Sequence, residues 1–238
     1  MSKKLSCYYG NSFIKKVLLL CLMLFPILSF SLEYRLGDQE LLLMPTAYTM
    51  TRHKIYVQSY QVIFGNYAYA IGNNTHLAAA SLPPVIIPWI ETAVLGIKHN
   101  YLRNQSWHSA VYGSYMPKTD SFLLGNVVSI GKEPGKSFHL GLTYFSFGHD
   151  TSDYREKFGN WCLSAGYRYD HSEKTTFLAE YSLTNGLDSS GNPRGILLAG
   201  VRKQTSPTTS WEIAGFRLNQ GMGVWLAYPL LKVSFYFR

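Results

Sequence analysis

Strict two-residue alternation from Trp161 to Leu183 is the feature that most limits what this chain can fold into. Trp161, Leu163, Ala165, Tyr167 and Tyr169 share one parity, and Cys162, Ser164, Gly166 and Arg168 share the other. After the polar run 171–175 the pattern resumes. Phe177, Ala179, Tyr181 and Leu183 then stand against Thr176, Glu180 and Ser182, with Leu178 as the exception. Alternation on both sides of a short polar turn specifies a β-hairpin with one apolar face. Trp161 and Tyr169 close the two ends of that face. Eight residues in a strand span roughly 26 Å, close to the lipid-facing band of a membrane barrel with its aromatic borders.

The same signature recurs along the chain. Strand patterns are predicted over 54–62, 67–71, 75–82, 92–101, 107–115, 122–130, 138–144, 161–169, 176–183, 195–201, 210–218 and 223–238. Trp107 and Tyr115 again bracket one face, while His108, Ala110, Tyr112 and Ser114 occupy the other. Gly72-Asn73-Asn74 marks a tight turn, because Gly and Asn accept positive φ. Short and long connections largely alternate, and the long ones fall at 83–91, 148–160 and 184–193. Outer-membrane barrels have short periplasmic turns and longer outer loops, whereas a sandwich has no physical reason to alternate this way. The expected fold is therefore all-β: a transmembrane antiparallel up-and-down β-barrel of about 12 strands over 54–238, with 10 or 14 as alternatives. Fourteen would require 41–51 to pair.

The beginning of the chain has a different character. Lys15-Lys16 precede the apolar run Val17–Phe30. That run is shorter than the roughly 20 residues a spanning helix needs and fits the core of a signal peptide. Residues 1–31 are read as a cleaved leader, with Ser29 and Ser31 as the small residues before the cut. Cys21 follows Leu18-Leu19-Leu20, which lack the small neighbour of a lipoprotein signal. Of the formal charge of +8, four units come from lysines in this leader, so the remaining chain is near +4. No dense basic stripe is present, which excludes nucleic acid as a partner. Cys162 is the only cysteine beyond the leader, so no internal disulfide or cysteine-based metal site is expected. Residues 32–53 lack clean alternation. They fit a periplasmic lead-in, a first strand fragment, or a segment tucked into the lumen.

The chain ends Val233-Ser-Phe-Tyr-Phe-Arg238. With its aromatic-bordered strands, it resembles a small single-chain bacterial outer-membrane β-barrel protein. The family's last strand commonly ends in an aromatic residue read by the assembly machinery; here Phe237 is followed by Arg238. The run MPTAYTM and the GNNT turn are similar to those of small barrels without an assigned activity. The resemblance implies an outer-membrane location. It also implies contact with outer-membrane lipid and lipopolysaccharide, and with the barrel assembly machinery through the C-terminal strand.

Alternation sends Leu, Val, Phe and Tyr outward and leaves Lys98, His108, Tyr112, His139, Thr143, Arg168, Glu180 and Lys232 as candidate lumen-lining residues. No catalytic, cofactor or metal site is expected. His108 and His139 fall on non-adjacent strands, and His149, Asp150, Asp153 and Glu156 lack calcium-loop spacing. The charged lumen residues either line a narrow aqueous path or pair across the lumen and fill it. The expected function is a narrow passive channel for small solutes or ions, or an envelope structural protein. The alternatives are a lipid-modifying enzyme and a surface-binding protein using the outer loops.

Overall fold

The structure, a computed structural model, describes residues 39–61, 64–82, 92–132, 135–151, 154–187, 193–218 and 229–237. The leader, the loop 83–91, the stretch 223–228 and Arg238 lie outside them. Twelve strands follow one another in chain order. They are β1 (Ile55–Tyr60), β2 (Phe64–Ala70), β3 (Thr75–Ser81), β4 (Val94–Arg103), β5 (Trp107–Met116) and β6 (Ser121–Lys132), then β7 (Lys136–Thr151), β8 (Tyr154–Asp170), β9 (Thr175–Leu187), β10 (Pro193–Ser206), β11 (Thr209–Leu218) and β12 (Leu230–Phe237). Each pairs antiparallel with its neighbours, and β1 pairs with β12 from Ile55↔Phe237 to Tyr60↔Lys232, closing the barrel. Closure leaves no free edge, which a sheet in hydrocarbon requires.

The outward face carries Leu95, Ile97, Leu140, Leu142 and Leu163 between aromatic residues. Trp107 and Tyr115 are exposed on β5, and Trp161 and Tyr169 on β8. Asn126 interrupts this face on β6; its amide donates to the Tyr101 hydroxyl at 2.9 Å, which satisfies it there. β11, whose faces were ambiguous in the sequence, sends Trp211 and Ile213 outward and buries Ser210, Glu212 and Ala214 inward.

Three expectations need correction. The stretch 184–193 is not a loop throughout, because β9 runs to Leu187 and β10 begins at Pro193. The region 148–160 is not a loop throughout. β7 and β8 continue through it in register, from Gly148↔Lys157 to Thr151↔Tyr154. Gly148, His149, Asp150 and Lys157 interrupt apolar alternation in the sequence there, which hid the hairpin. Nor does 41–51 add strands: β1 already pairs with β12, and this stretch lies inside the barrel.

The inward turn begins at His53, whose φ of 64° is left-handed. Its N–H donates to the Ala70 carbonyl at 2.9 Å, and Lys54 N–H donates to the Thr51 carbonyl at 3.2 Å. Before it, Thr49 Oγ1 donates to the Asn73 carbonyl at 2.8 Å, tying the segment to the β2–β3 turn. Residues 39–50 then run within the lumen. Leu41, Leu42, Met44 and Ala47 pack on Ala110, Val127, Leu178, Leu198 and Ala214 of the wall.

Candidate functional site: the lumen and the segment within it

The tip of the inner segment is a tight turn. Leu41 N–H donates to the Met44 carbonyl at 2.9 Å, Thr46 N–H donates to the Gln39 carbonyl at 3.1 Å, and Glu40 bridges Pro45. A turn of this kind cannot satisfy its own outward N–H and C=O groups, so the wall must do so. Glu180 takes the N–H groups. Its carboxylate accepts from Leu42, from Leu43 at 2.9 and 3.1 Å, and from Met44 at 3.1 and 3.2 Å. Successive backbone N–H groups converging on one anion form a nest.

Cations take the carbonyls. Lys232 Nζ donates to the Leu41 and Leu42 carbonyls at 3.1 and 3.2 Å. Arg202 Nη2 donates to the Glu40 and Leu41 carbonyls, both at 2.9 Å. Glu212 holds both cations from behind, at 2.8 Å from Arg202 Nε and 2.9 Å from Lys232 Nζ. Lys98 Nζ donates to the Gln39 and Thr46 carbonyls at 2.7 and 3.1 Å, and the Asn100 amide to the Ala47 carbonyl at 2.6 Å.

Further along, Ala47 N–H donates to Ser129 Oγ at 2.8 Å. Ser129 also meets His139 Nδ1 at 2.7 Å, and Ser137 Oγ meets His139 Nε2 at 2.9 Å. The Tyr48 ring stands edge-on to His108 and His139, with centroids 4.9 and 5.8 Å away. These serine–histidine contacts are buried, and Ser129 also accepts the Ala47 N–H. Tyr112 and Thr143 share a hydroxyl–hydroxyl hydrogen bond. Arg168 pairs with Asp170 at 3.0 Å.

The eight residues singled out in the sequence thus lie on the inward face. Lys98, Glu180 and Lys232 meet the segment's backbone, His108 and His139 meet Tyr48, and Tyr112, Thr143 and Arg168 meet other wall residues. Sequence reasoning missed Gln58, Asn100, Ser129, Arg202 and Glu212; of its three readings of 32–53, the structure places 39–50 as the segment within the lumen, held by wall groups that the sequence did not connect with it. Among the described residues, no group of three potential metal ligands assembles. In the 148–160 region, His149 stands opposite Glu156 and Asp150 opposite Arg155 in the ladder; Asp153 lies outside the described residues.

Glu40 lies outside the strands. Burial alone would raise its carboxyl; the charge of Lys232, the Gln58 amide and Arg202 outweigh that and hold it below its ordinary value.

No protein-family model matches the sequence, and no curated protein does. Solved structures do. A NanC porin is 9% identical with a TM-score of 0.49, over 77% of this chain and 97% of that one. A KdgM porin in complex with disordered oligogalacturonate is 7% identical with a TM-score of 0.50, over 78% and 97%. The translocator domain of the autotransporter NalP from Neisseria meningitidis is 12% identical with a TM-score of 0.45, over 80% and 89%. The closed ladder of twelve antiparallel strands, polar within and apolar without, is the fold of the bacterial outer-membrane β-barrels.

Proposed function

We propose that this protein is an outer-membrane barrel acting as a narrow passive channel that its own residues 39–53 hold closed in the present state. The observation that carries this reading is where the wall spends its charges. Glu180, Lys98, Arg202 and Lys232 bind the backbone of a segment that joins β1 through the turn at His53. Groups of this kind exchange protein hydrogen bonds for water when the segment withdraws, at a net cost of about 1.5–3 kcal/mol each because they are charged.

The remaining parts of the reading follow from it. Residues 1–31 direct export and are removed. The outward belt contacts outer-membrane lipid and lipopolysaccharide, and the assembly machinery reads β12. Small solutes or ions are the cargo. The test is a planar-bilayer recording of the refolded mature chain. Discrete openings whose size scales with salt are expected; insertion without conduction at any voltage would refute the channel.

A further inference from the structure

The pocket around the Glu40 carboxylate is complete without Glu40. Among the described residues, the groups that hydrogen-bond that carboxylate belong to the barrel wall. Lys232 Nζ lies 3.0 Å from Oε1, the Tyr60 hydroxyl lies 3.2 and 3.1 Å from the two oxygens, and the Gln58 amide donates to Oε1. Gln58 is oriented by wall residues alone, and Lys232, which also donates to the Leu41 and Leu42 carbonyls of the segment, keeps a wall partner of its own. Gln58 Oε1 accepts from the Tyr56 hydroxyl at 3.0 Å and the Asn66 amide at 3.3 Å, which turns its N–H2 toward the carboxylate. Glu212 anchors Lys232 at 2.9 Å. Gln58 and Lys232 are almost wholly buried, so their hydrogen bonds to an anion are charge-assisted and little screened.

From this geometry we infer that Gln58, Tyr60 and Lys232 form a carboxylate-binding site in the lumen, which Glu40 fills as a tethered stand-in for a small solute bearing a free carboxylate. A solute carboxylate in this site displaces Glu40 and favours release of the segment. The inference rests on the channel reading, because the solute must reach the lumen. Tethering gives Glu40 an effective concentration in the millimolar range, so a free monocarboxylate competes at about millimolar concentration or above.

The test reads segment release directly. Thr46 is buried in the docked segment, so Thr46→Cys in a Cys162→Ser background is labelled by a neutral thiol reagent only when the segment leaves. Propionate, the counterpart of the Glu40 side chain, is titrated against neutral propionamide at constant ionic strength. Propionate is expected to raise the labelling rate saturably and propionamide to leave it unchanged. Glu40→Gln removes the internal competitor and should lower the half-maximal propionate concentration about tenfold. Lys232→Met should abolish the response; Tyr60→Phe should weaken it and guards against a Lys232 variant that does not assemble. Equal responses to both probes, or a propionate response unaffected by Tyr60→Phe and Lys232→Met in assembled barrels, overturn the site. Channel openings with no propionate effect on labelling overturn the site and leave the channel standing. Labelling that rises while the bilayer stays silent does the reverse.

Discussion

Replacing Glu180 by Gln strikes the seat of the inner segment with the least change of shape. In the wild-type barrel, one carboxylate oxygen accepts from Leu42, Leu43 and Met44 and the other from Leu43 and Met44. The amide keeps one oxygen. Its N–H2 group replaces the other and opposes the Leu43 and Met44 N–H groups. Two hydrogen bonds disappear, each with a net worth of about 1 kcal/mol. The remaining bonds lose their charge assistance, which roughly halves them. The docked state should therefore weaken by about 2–4 kcal/mol, or roughly 30- to 1,000-fold in the release equilibrium. The assay is the labelling rate of Thr46→Cys, compared with and without Glu180→Gln, in barrels whose assembly is verified by the gel mobility of unheated samples. A labelling rate within about threefold of the parent, in an assembled barrel, would refute the nest as the seat of the segment.

Other perturbations test neighbouring contacts. Ser129→Ala removes the acceptor of the Ala47 N–H and a partner of His139; leaving such groups unpaired costs about 1–3 kcal/mol, read as faster Thr46→Cys labelling. Gly166→Ala would place a Cβ 2.2 Å from Leu41 Cδ1, while Gly215 has nothing within 4 Å of the same addition. Gly166→Ala should loosen the segment by about 1–3 kcal/mol of overpacking, with Gly215→Ala silent in the same labelling assay. Leu140→Arg puts a charge on the lipid face and should lower barrel stability by about 2–4 kcal/mol in a urea titration in lipid vesicles. Because Glu40 is held below its ordinary value of 4.5, its contribution to docking is complete above that value and fades as pH falls through the lowered one. The labelling rate, divided at each pH by that of a free thiol with the same reagent, should stay flat from neutral pH down to about that range and rise in stronger acid, and Glu40→Gln should reduce that rise.

Much of the barrel was legible because lipid and lumen impose opposite demands on alternate residues. Trp107 with Tyr115, and Trp161 with Tyr169, mark the borders of the outward face, and all four are exposed there. The grip on the segment was less legible, although one signal was present. Leu178 breaks the polar parity of β9, and in the structure it faces inward, packed with Leu41, Leu42 and Met44. Val127 and Leu198 do the same on β6 and β10. Apolar residues on a lumen face mark something apolar inside. The inward glycines are a second signal, because a Cβ at Gly141 or Gly166 would meet Met44 or Leu41. Hydrogen bonds to the segment's backbone leave no trace in its sequence, since a carbonyl that accepts from Arg202 or Lys232 belongs to any residue type. Glu212 was obscured by its apolar neighbours Trp211 and Ile213, which point the other way.

The most direct test of the central claim is to record single channels while the segment is tethered and then freed. Lys98 Nζ lies 3.1 Å from the Thr46 carbonyl, so cysteines replacing Lys98 and Thr46, in the Cys162→Ser background, can be bridged by a short reducible crosslinker. The account predicts silence in the bridged barrel and discrete, salt-dependent openings once the bridge is reduced. Equal openings in both states would mean that residues 39–53 do not close the lumen, and silence in both would mean that no channel lies beneath them.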